Sequence, residues 1–482
     1  MGVTAFVNGH VFTGDSFTDS FYVKEGYFVK PGLPEKTIDL KGKTVVPGFI
    51  DSHLHFLSAG LYALGADLSG AFSLDDVLSR IKDFVEKTAL AQPFASRFDE
   101  TRLKENRFPS LEELDGVTKN TPFYIVRIDL HSMMVNSAFA KKYNMESSSP
   151  FIRGKAYDAM VARLAKEVPF EDKRKGLKEM EKTAFRAGVT GVHTMEGVEK
   201  DFSGVDAMLS HQKESLLNIL LYPQIMDVQG VTDRGLSRIG GCILIDGSLG
   251  SRTAALCAPY ADAPAEKGRL YLTDEELFCF MDEAHDAGLQ MSFHAIGDRA
   301  VEQLVRGYAQ LGREAEKRHR IEHGIVVRDE EYRAIADLGL WINFQPMFHA
   351  YWGHPGGLYE QRLGPDRTKR INRIKTAKDL GIPFAFGSDC HVTPLDPLGG
   401  IRAAVNHPVP EESLSVEEAV KGFTLYGAQI GHDEKKSGSI ALGRRADFVI
   451  LSENIFDNES LGKAEIEKTY VFGYCLYQRE SD

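Results

Sequence analysis

No stretch of eighteen consecutive apolar residues occurs in the sequence, so a membrane-spanning helix is not expected. The first twenty residues lack the basic segment leading into an apolar one that marks a secretory signal. Cysteine is scarce and scattered. Cys242, Cys257, Cys279, Cys390 and Cys475 are odd in number and never form a Cys-x-x-Cys pair, which argues against a disulfide framework and fits a reducing compartment. Basic charge is also short: 57 Lys and Arg against 69 Asp and Glu give a net charge of −12, and no basic patch interleaves with aromatics. Nucleic acid is therefore not an expected partner. There is no Gly-x-Ser-x-Gly elbow and no Cys/His pair arranged around a nucleophile. Ser248–Ala254 sets glycine near arginine but lacks the spacing of a phosphate loop. These absences lead to the expectation of a soluble cytoplasmic protein with a small-molecule substrate and no membrane partner.

What is present is a globular composition, 43% hydrophobic and 26% charged, in a chain of 482 residues, long enough for two or three domains. Residues 1–44 alternate apolar and polar between Gly, Asp and Pro turns, and ADFVILSE and KTYVFGYCLYQ near the other end have the same character. Segments 1–48 and 436–482 are expected to pair as one small β-sandwich, because either alone would be marginally stable. After Met180, apolar strand patterns alternate with helical ones: GVTGVHTM, LLNILLYPQ, GGCILIDGS, LQMSFHAIG, HRIEHG, LWINFQP and PFAFGSD. With GFIDSHLH they number eight, as a (β/α)8 TIM barrel requires, so the fold class is α/β, with residues 49–56 and 181–435 forming the barrel. Residues 57–180 form an α-rich insertion after the first barrel strand. Ser73 and Ser110 cap its helices, and FYIVR, which would be a ninth strand, falls within it.

Strand alternation puts His53 and His55 of VVPGFIDSHLHF on one face. His294, His323 and Asp389 each end a later apolar run. In this fold function sits at the C-terminal ends of the strands, and all five residues fall there. A lone histidine at a strand end is more often structural than a ligand. Imidazole nitrogen and carboxylate oxygen at equivalent ends of several strands suit a divalent metal, Zn²⁺ above all.

VVPGFIDSHLHF, DGSLGSRTAAL, HAIGDRA, HRIEHG, FGSD and GSIALGRRADFVIL together resemble the metal-dependent amidohydrolase superfamily, and within it the YtcJ-like branch that includes N-substituted formamide deformylases. The resemblance implies that His53, His55, His294, His323 and Asp389 hold one or two metals per chain. It also implies that Asp389 takes the proton of the attacking water and passes it to the leaving nitrogen. Relatives often carry on strand four a carboxylated lysine, four residues before the Asp-Gly of the DGS motif; here that position is Cys242 and the strand has no lysine. A buried cysteine is commonly mere packing, yet a thiolate is a good zinc ligand, so both readings of Cys242 stand.

Asp246, Arg252, Asp298 and Gln345 follow barrel strands, and each reads either as a substrate contact or as a loop-fixing hydrogen bond or ion pair. His131, in the insertion, resembles a family motif near the substrate, so the insertion is expected to contribute a lid. Glu322 precedes His323 on its strand and is expected to point away from the site. His193 either approaches the pocket or packs, and His349 lines an entrance or lies on the surface. The function read from all this is metal-dependent hydrolysis of a non-peptide C–N bond in an amide, N-acyl compound or cyclic amide. A mononuclear deaminase of an aminated heterocycle is the nearest rival. A non-catalytic binding protein on the same scaffold is a rival of another class, which the intact Asp389 disfavours. Barrels of this size commonly form homo-oligomers, but no surface stripe identifies an interface.

Overall fold

The computed structural model describes residues 2–128, 132–145 and 150–480. The chain divides into two compact units. One comprises Met1–His55, Glu181–Val205 and Gln212–Asp482, the other Phe56–Met180 and Asp206–His211.

Two parallel sheets carry the centre of the first unit. Strands β1 (Phe49–Leu54), β2 (Val189–Glu196) and β3 (Asn218–Pro223) form one, in the order β3-β2-β1. Strands β4 (Arg238–Ile239), β5 (Gln290–Ala295), β6 (Arg320–His323), β7 (Trp341–Phe344) and β8 (Phe384–Phe386) form the other, in sequence order. Every residue of β1, β2, β5, β6, β7 and β8 is buried. That is why these strands read as near-continuous apolar runs: a parallel sheet is covered on both faces, and the helices that connect its strands supply such a cover. The covering helices include Asp274–Asp286, Asp298–Leu311 and Asp329–Leu338, each between successive strands. Backbone bonds run from Asp389 N to His53 O (2.8 Å) and from His55 N to Cys390 O (2.9 Å), so the segment leaving β8 lies along the end of β1.

One expected strand does not form along its apolar run. GGCILIDGS is not a continuous strand: β4 ends at Ile239, and the chain turns at Gly240 (φ +94°) and Gly241 (φ +52°). A Cβ on Gly240 would stand 2.2 Å from Ser292 O, and one on Gly241 2.7 Å from Tyr222 O. Only glycine allows this turn to press between neighbouring strands. Cys242 follows directly, and an isolated parallel bridge between Leu244 and His294 resumes the pairing.

The two ends of the chain meet in a six-stranded sheet. Phe448–Leu451 pairs antiparallel with Thr44–Pro47, Val449 opposite Val46. A four-stranded sheet holds Thr4–Val7, Phe21–Lys24, Tyr27–Val29 and Lys36–Asp39. Phe6, Phe21, Phe28, Val45, Phe448 and Tyr470 share one core cluster, with Phe6 stacked on Phe21 at 4.8 Å and Phe448 on Tyr470 at 4.4 Å.

The second unit contains a five-stranded sheet as well as helices. The sequence points mainly to helix here because strands such as Phe94–Phe98 and Phe151–Arg153 are too short to show a period of two, whereas Leu74–Lys87 spans about four turns. Tyr124–Arg127 lies in this sheet. Ser73 caps the helix Leu74–Lys87 by accepting from Asp76 N, and Ser110 and Glu113 form a full capping box on Leu111–Thr118. Among the described residues no helix is long and apolar enough to cross a membrane.

Candidate metal centre

The ends of β1, β5, β6 and β8 and the turn after β4 deliver His53, His55, His294, His323, Asp389 and Cys242 to one place. Ring centroids lie 5.7 Å apart for His53 and His55, 5.0 Å for His53 and His323, and 4.5 Å for His294 and His323. Asp389 Oδ1 stands 3.4 Å from His53 Nε2 and 3.3 Å from His55 Nε2. Cys242 Sγ stands 3.7 Å from His294 Nδ1 and 3.8 Å from His323 Nε2. Two trios have ligand atoms mutually within 4.8 Å: His53 with His55 and Asp389, and His53 with Cys242 and His323.

Each imidazole is held from behind by an acceptor. His53 Nδ1 meets Glu322 Oε2 at 2.5 Å, His55 Nδ1 meets Met195 O at 3.2 Å, His294 Nε2 meets Gly247 O at 3.2 Å, and His323 Nδ1 meets Gln345 Oε1 at 2.6 Å. A nitrogen facing a carbonyl or carboxylate carries the hydrogen, so the other nitrogen of each ring offers its lone pair to the centre. Gln345 is oriented in turn by Nε2 donating to Asn343 O at 3.1 Å. His53 Nε2 and Asp389 Oδ1 are buried yet take no hydrogen bond from the described residues. Such groups ask for a partner, and converging imidazole, carboxylate and thiol donors fit a borderline-soft divalent cation. Two backbone features aim the set. His323 has φ +73° and Asp389 φ +55°, left-handed conformations that cost non-glycine residues energy and gather at functional sites.

The charges within the cluster act on one another. Burial and the fields of His53, His294 and His323 act in opposite directions on the Cys242 thiol, and the histidines prevail, holding it well below its usual range. Burial opposes a charge on His55, but Asp389 and Cys242 raise it to about 10. Burial likewise opposes the ionised Asp389, and His53 and His55 outweigh it, keeping the carboxyl well below the ordinary carboxylate range.

Glu322 departs from its expected direction, and Asp246, Arg252, Asp298 and Gln345 each have hydrogen-bond or ion-pair partners, as one of their two sequence readings expects. Glu322 does not point away: the positive φ at His323 breaks the strand alternation, so Glu322 and His323 both reach the centre, and Glu322 bonds His53. Gln345 lies behind His323, with its amide engaged by His323 and Asn343. Asp246 is buried and accepts from Ile296 N, Gly297 N and Ala255 N at 2.8–2.9 Å, which fixes loops and leaves His294 Nε2 3.7 Å away. Asp298 accepts from Cys257 N at 2.8 Å and likewise holds a loop. Arg252 forms a two-point ion pair with Asp262. His193 is buried with Nδ1 3.1 Å from Arg320 Nη1, and His349 is buried with its ring 4.1 Å from that of His407. His131 lies outside the described residues.

Sequence reasoning missed Arg320, Ser292 and Asn343, which surround Glu322. The signal was present: Arg320 and Glu322 stand two apart in a strand, hence on one face, and two opposite charges in a buried strand must find each other.

Comparison with known proteins places the chain among relatives. A model of the amidohydrolase family matches residues 36–477. The YtcJ protein of Bacillus subtilis (strain 168) is 29% identical over 520 residues, covering 96% of each chain. The N-substituted formamide deformylase of Arthrobacter pascens is 22% identical, over 92% of this chain and 90% of its own. The crystal structure of an uncharacterized metal-dependent hydrolase from Pyrococcus furiosus is 27% identical and superposes with a TM-score of 0.82, covering 94% of this chain and all of that one.

Proposed function

This chain belongs to the amidohydrolase family, and from that premise we propose that it hydrolyses a non-peptide carbon–nitrogen bond in a small amide, N-acyl compound or cyclic amide, in the manner of the YtcJ and deformylase branch. The observation that carries the reading is the convergence of four imidazoles, each held from behind, with a buried carboxylate whose Oδ1 takes no hydrogen bond from the described residues. The parallel sheets of three and five strands are read here as one (β/α)8 barrel of residues 49–56 and 181–435, with segments 1–48 and 436–482 as a composite sandwich and residues 57–180 as an insertion in the sequence after the first barrel strand.

His53, His55 and Asp389 would hold one divalent ion, most suitably zinc, and Cys242 and His323 a second, with His294, whose Nδ1 is 3.7 Å from Cys242 Sγ, taking the place that His53 has in the second trio. A divalent ion held there supplies Lewis acidity, making water a nucleophile near neutral pH and polarising the scissile carbonyl. Asp389 would also receive the proton of the attacking water and return it to the departing nitrogen, which would otherwise leave as an unstable anion. The other residues hold position. Gln345 and Glu322 keep imidazole hydrogens directed outward, while Asp246 and Asp298 fix the loops after β4 and β5.

The test joins elemental analysis to a substrate panel. Protein purified without chelator should hold two metals per chain, and Cys242→Ala one. It should release amine from N-formyl or N-acyl compounds, or open a cyclic amide, and Asp389→Asn should lower turnover by about 10²–10⁴-fold. Ammonia from aminated heterocycles with no acyl cleavage would transfer the assignment to a deaminase. No metal uptake from added zinc or manganese would overturn the catalytic reading.

A further inference from the structure

Among the four imidazoles of the centre, His53 has a carboxylate behind it, whereas the others meet neutral acceptors: Met195 O, Gly247 O and Gln345 Oε1. That carboxylate, Glu322, is fully buried and held at both oxygens. Oε1 accepts from Ser292 Oγ (2.5 Å) and Arg320 Nε (2.6 Å); Oε2 accepts from Asn343 Nδ2 (2.8 Å), Arg320 Nη2 (3.0 Å) and His53 Nδ1. A carboxylate so held has no freedom to rotate away from the imidazole. Arg320, also fully buried, supplies the charge that makes an ionised Glu322 tolerable in the interior. Its Nη2 also donates to Ser52 O at 2.6 Å, and Ser52 donates to Asn343 Oδ1 and Phe386 O. The network therefore grips the backbone just before His53 as well as its ring.

We infer that Glu322, braced by Arg320, is the positioning residue that fixes His53 for the ion held by His53, His55 and Asp389, and that the position at Cys242 does not depend on it. With Nδ1 committed to Glu322, His53 has a single lone pair to give, on Nε2, which lies 3.4 Å from Asp389 Oδ1. His53 also shares a trio with Cys242 and His323, but its one lone pair goes to the ion it holds with His55 and Asp389, and Cys242 has His294 as well as His323 within 3.8 Å, each oriented by its own acceptor, so its position can fill without His53. A charged acceptor also makes the imidazole a better donor than a carbonyl does, and loss of such a partner typically weakens metal affinity tenfold to a hundredfold. The inference rests on the metal-site reading proposed above.

Cobalt(II) separates the two positions. The metal-free chain is titrated with Co²⁺, following the sulfur-to-cobalt charge-transfer absorption, which reports the Cys242 position, and the visible d–d absorption, which reports all bound cobalt. Glu322→Gln is compared with the double variant Arg320→Met/Glu322→Gln, which removes both buried charges together and carries the test if the single variant does not fold. The expected result is that the component lacking the thiolate band needs at least about tenfold more free cobalt, while the thiolate band keeps its midpoint. Unchanged midpoints for both components overturn the inference, as does equal weakening of both, which marks a general loss of structure. A wild-type chain that gives neither band overturns the proposed function and this inference with it; normal wild-type binding with unaltered variants overturns this inference alone.

Discussion

At the scale of single residues, the chemistry depends as much on what stands behind a ligand as on the ligand. Gln345 shows this. It sits two positions past a strand residue, Asn343, whose carbonyl orients its amide, and its Oε1 takes the Nδ1 hydrogen of His323. Gln345→Leu should leave that hydrogen buried without an acceptor and free the ring to flip. The expected outcome is a drop of about 10–100-fold in affinity at the position His323 serves, measured by competition with a chelator of known affinity. An unchanged affinity would mean that the stacking of Phe348 against His323, at 5.9 Å and 13° between planes, suffices to hold the ring. The distinction between ligand and support was hidden in the sequence, because Gln345 follows its strand just as a substrate-binding residue would. Only the direction of its amide separates the two roles.

At the scale of elements, the centre is assembled where strand ends approach one another closely, and glycine permits the approach. Gly387 follows β8 and lies against β1: a Cβ there would stand 2.5 Å from His53 N and 2.6 Å from His53 Cβ. Gly387→Ala should therefore push the end of β1 aside. A loss of about 1–3 kcal/mol, read as a lower urea midpoint, is expected together with weaker metal binding, since the displaced residue is His53 itself. Gly116, exposed within Leu111–Thr118 with nothing within 4 Å of an added Cβ, is the natural control. Gly116→Ala should raise stability by about 0.5–1 kcal/mol through helix propensity alone. If Gly387→Ala were as harmless, the close packing of β8 on β1 would have no energetic consequence. The strand patterns were legible because buried parallel strands are apolar throughout. The turn after β4 was not, since two glycines before Cys242 read equally well as strand or turn until the backbone of Ser292 and Tyr222 is placed beside them.

At the scale of the whole molecule, burial of neutral histidines ties stability to pH. Burial, followed by the neighbouring His285 and Lys317, lowers His319 from 6.5 to about 3, and its Nδ1 accepts from Met291 N at 3.0 Å. Between pH 6.5 and about 3 the unfolded chain binds a proton there that the folded chain refuses, so stability rises with pH across that window and is lost as pH falls. One such group contributes a slope of up to about 1.4 kcal/mol per pH unit. In metal-free protein, urea unfolding at pH 7 and pH 5 should show lower stability at pH 5. His319→Asn, which keeps an acceptor for Met291 N–H, should reduce the difference. An equal pH dependence in the variant would mean that other groups set the slope.

The sequence by itself determined the α/β character, because the spacing of apolar runs follows from burial, and it determined which histidines and which aspartate end those runs. It also placed Cys242 four residues before the Asp-Gly of the DGS motif, on a segment with no lysine. Only the tertiary structure decided which nitrogen of each histidine faces the centre, that Asp246 and Asp298 fix loops, and that Glu322 stands with His53. The physical reason is that a side chain's role depends on what surrounds it in space. Alternation along a strand predicts a face only while φ stays negative. At His323 it does not, and one left-handed residue brings Glu322 and His323 to the same centre.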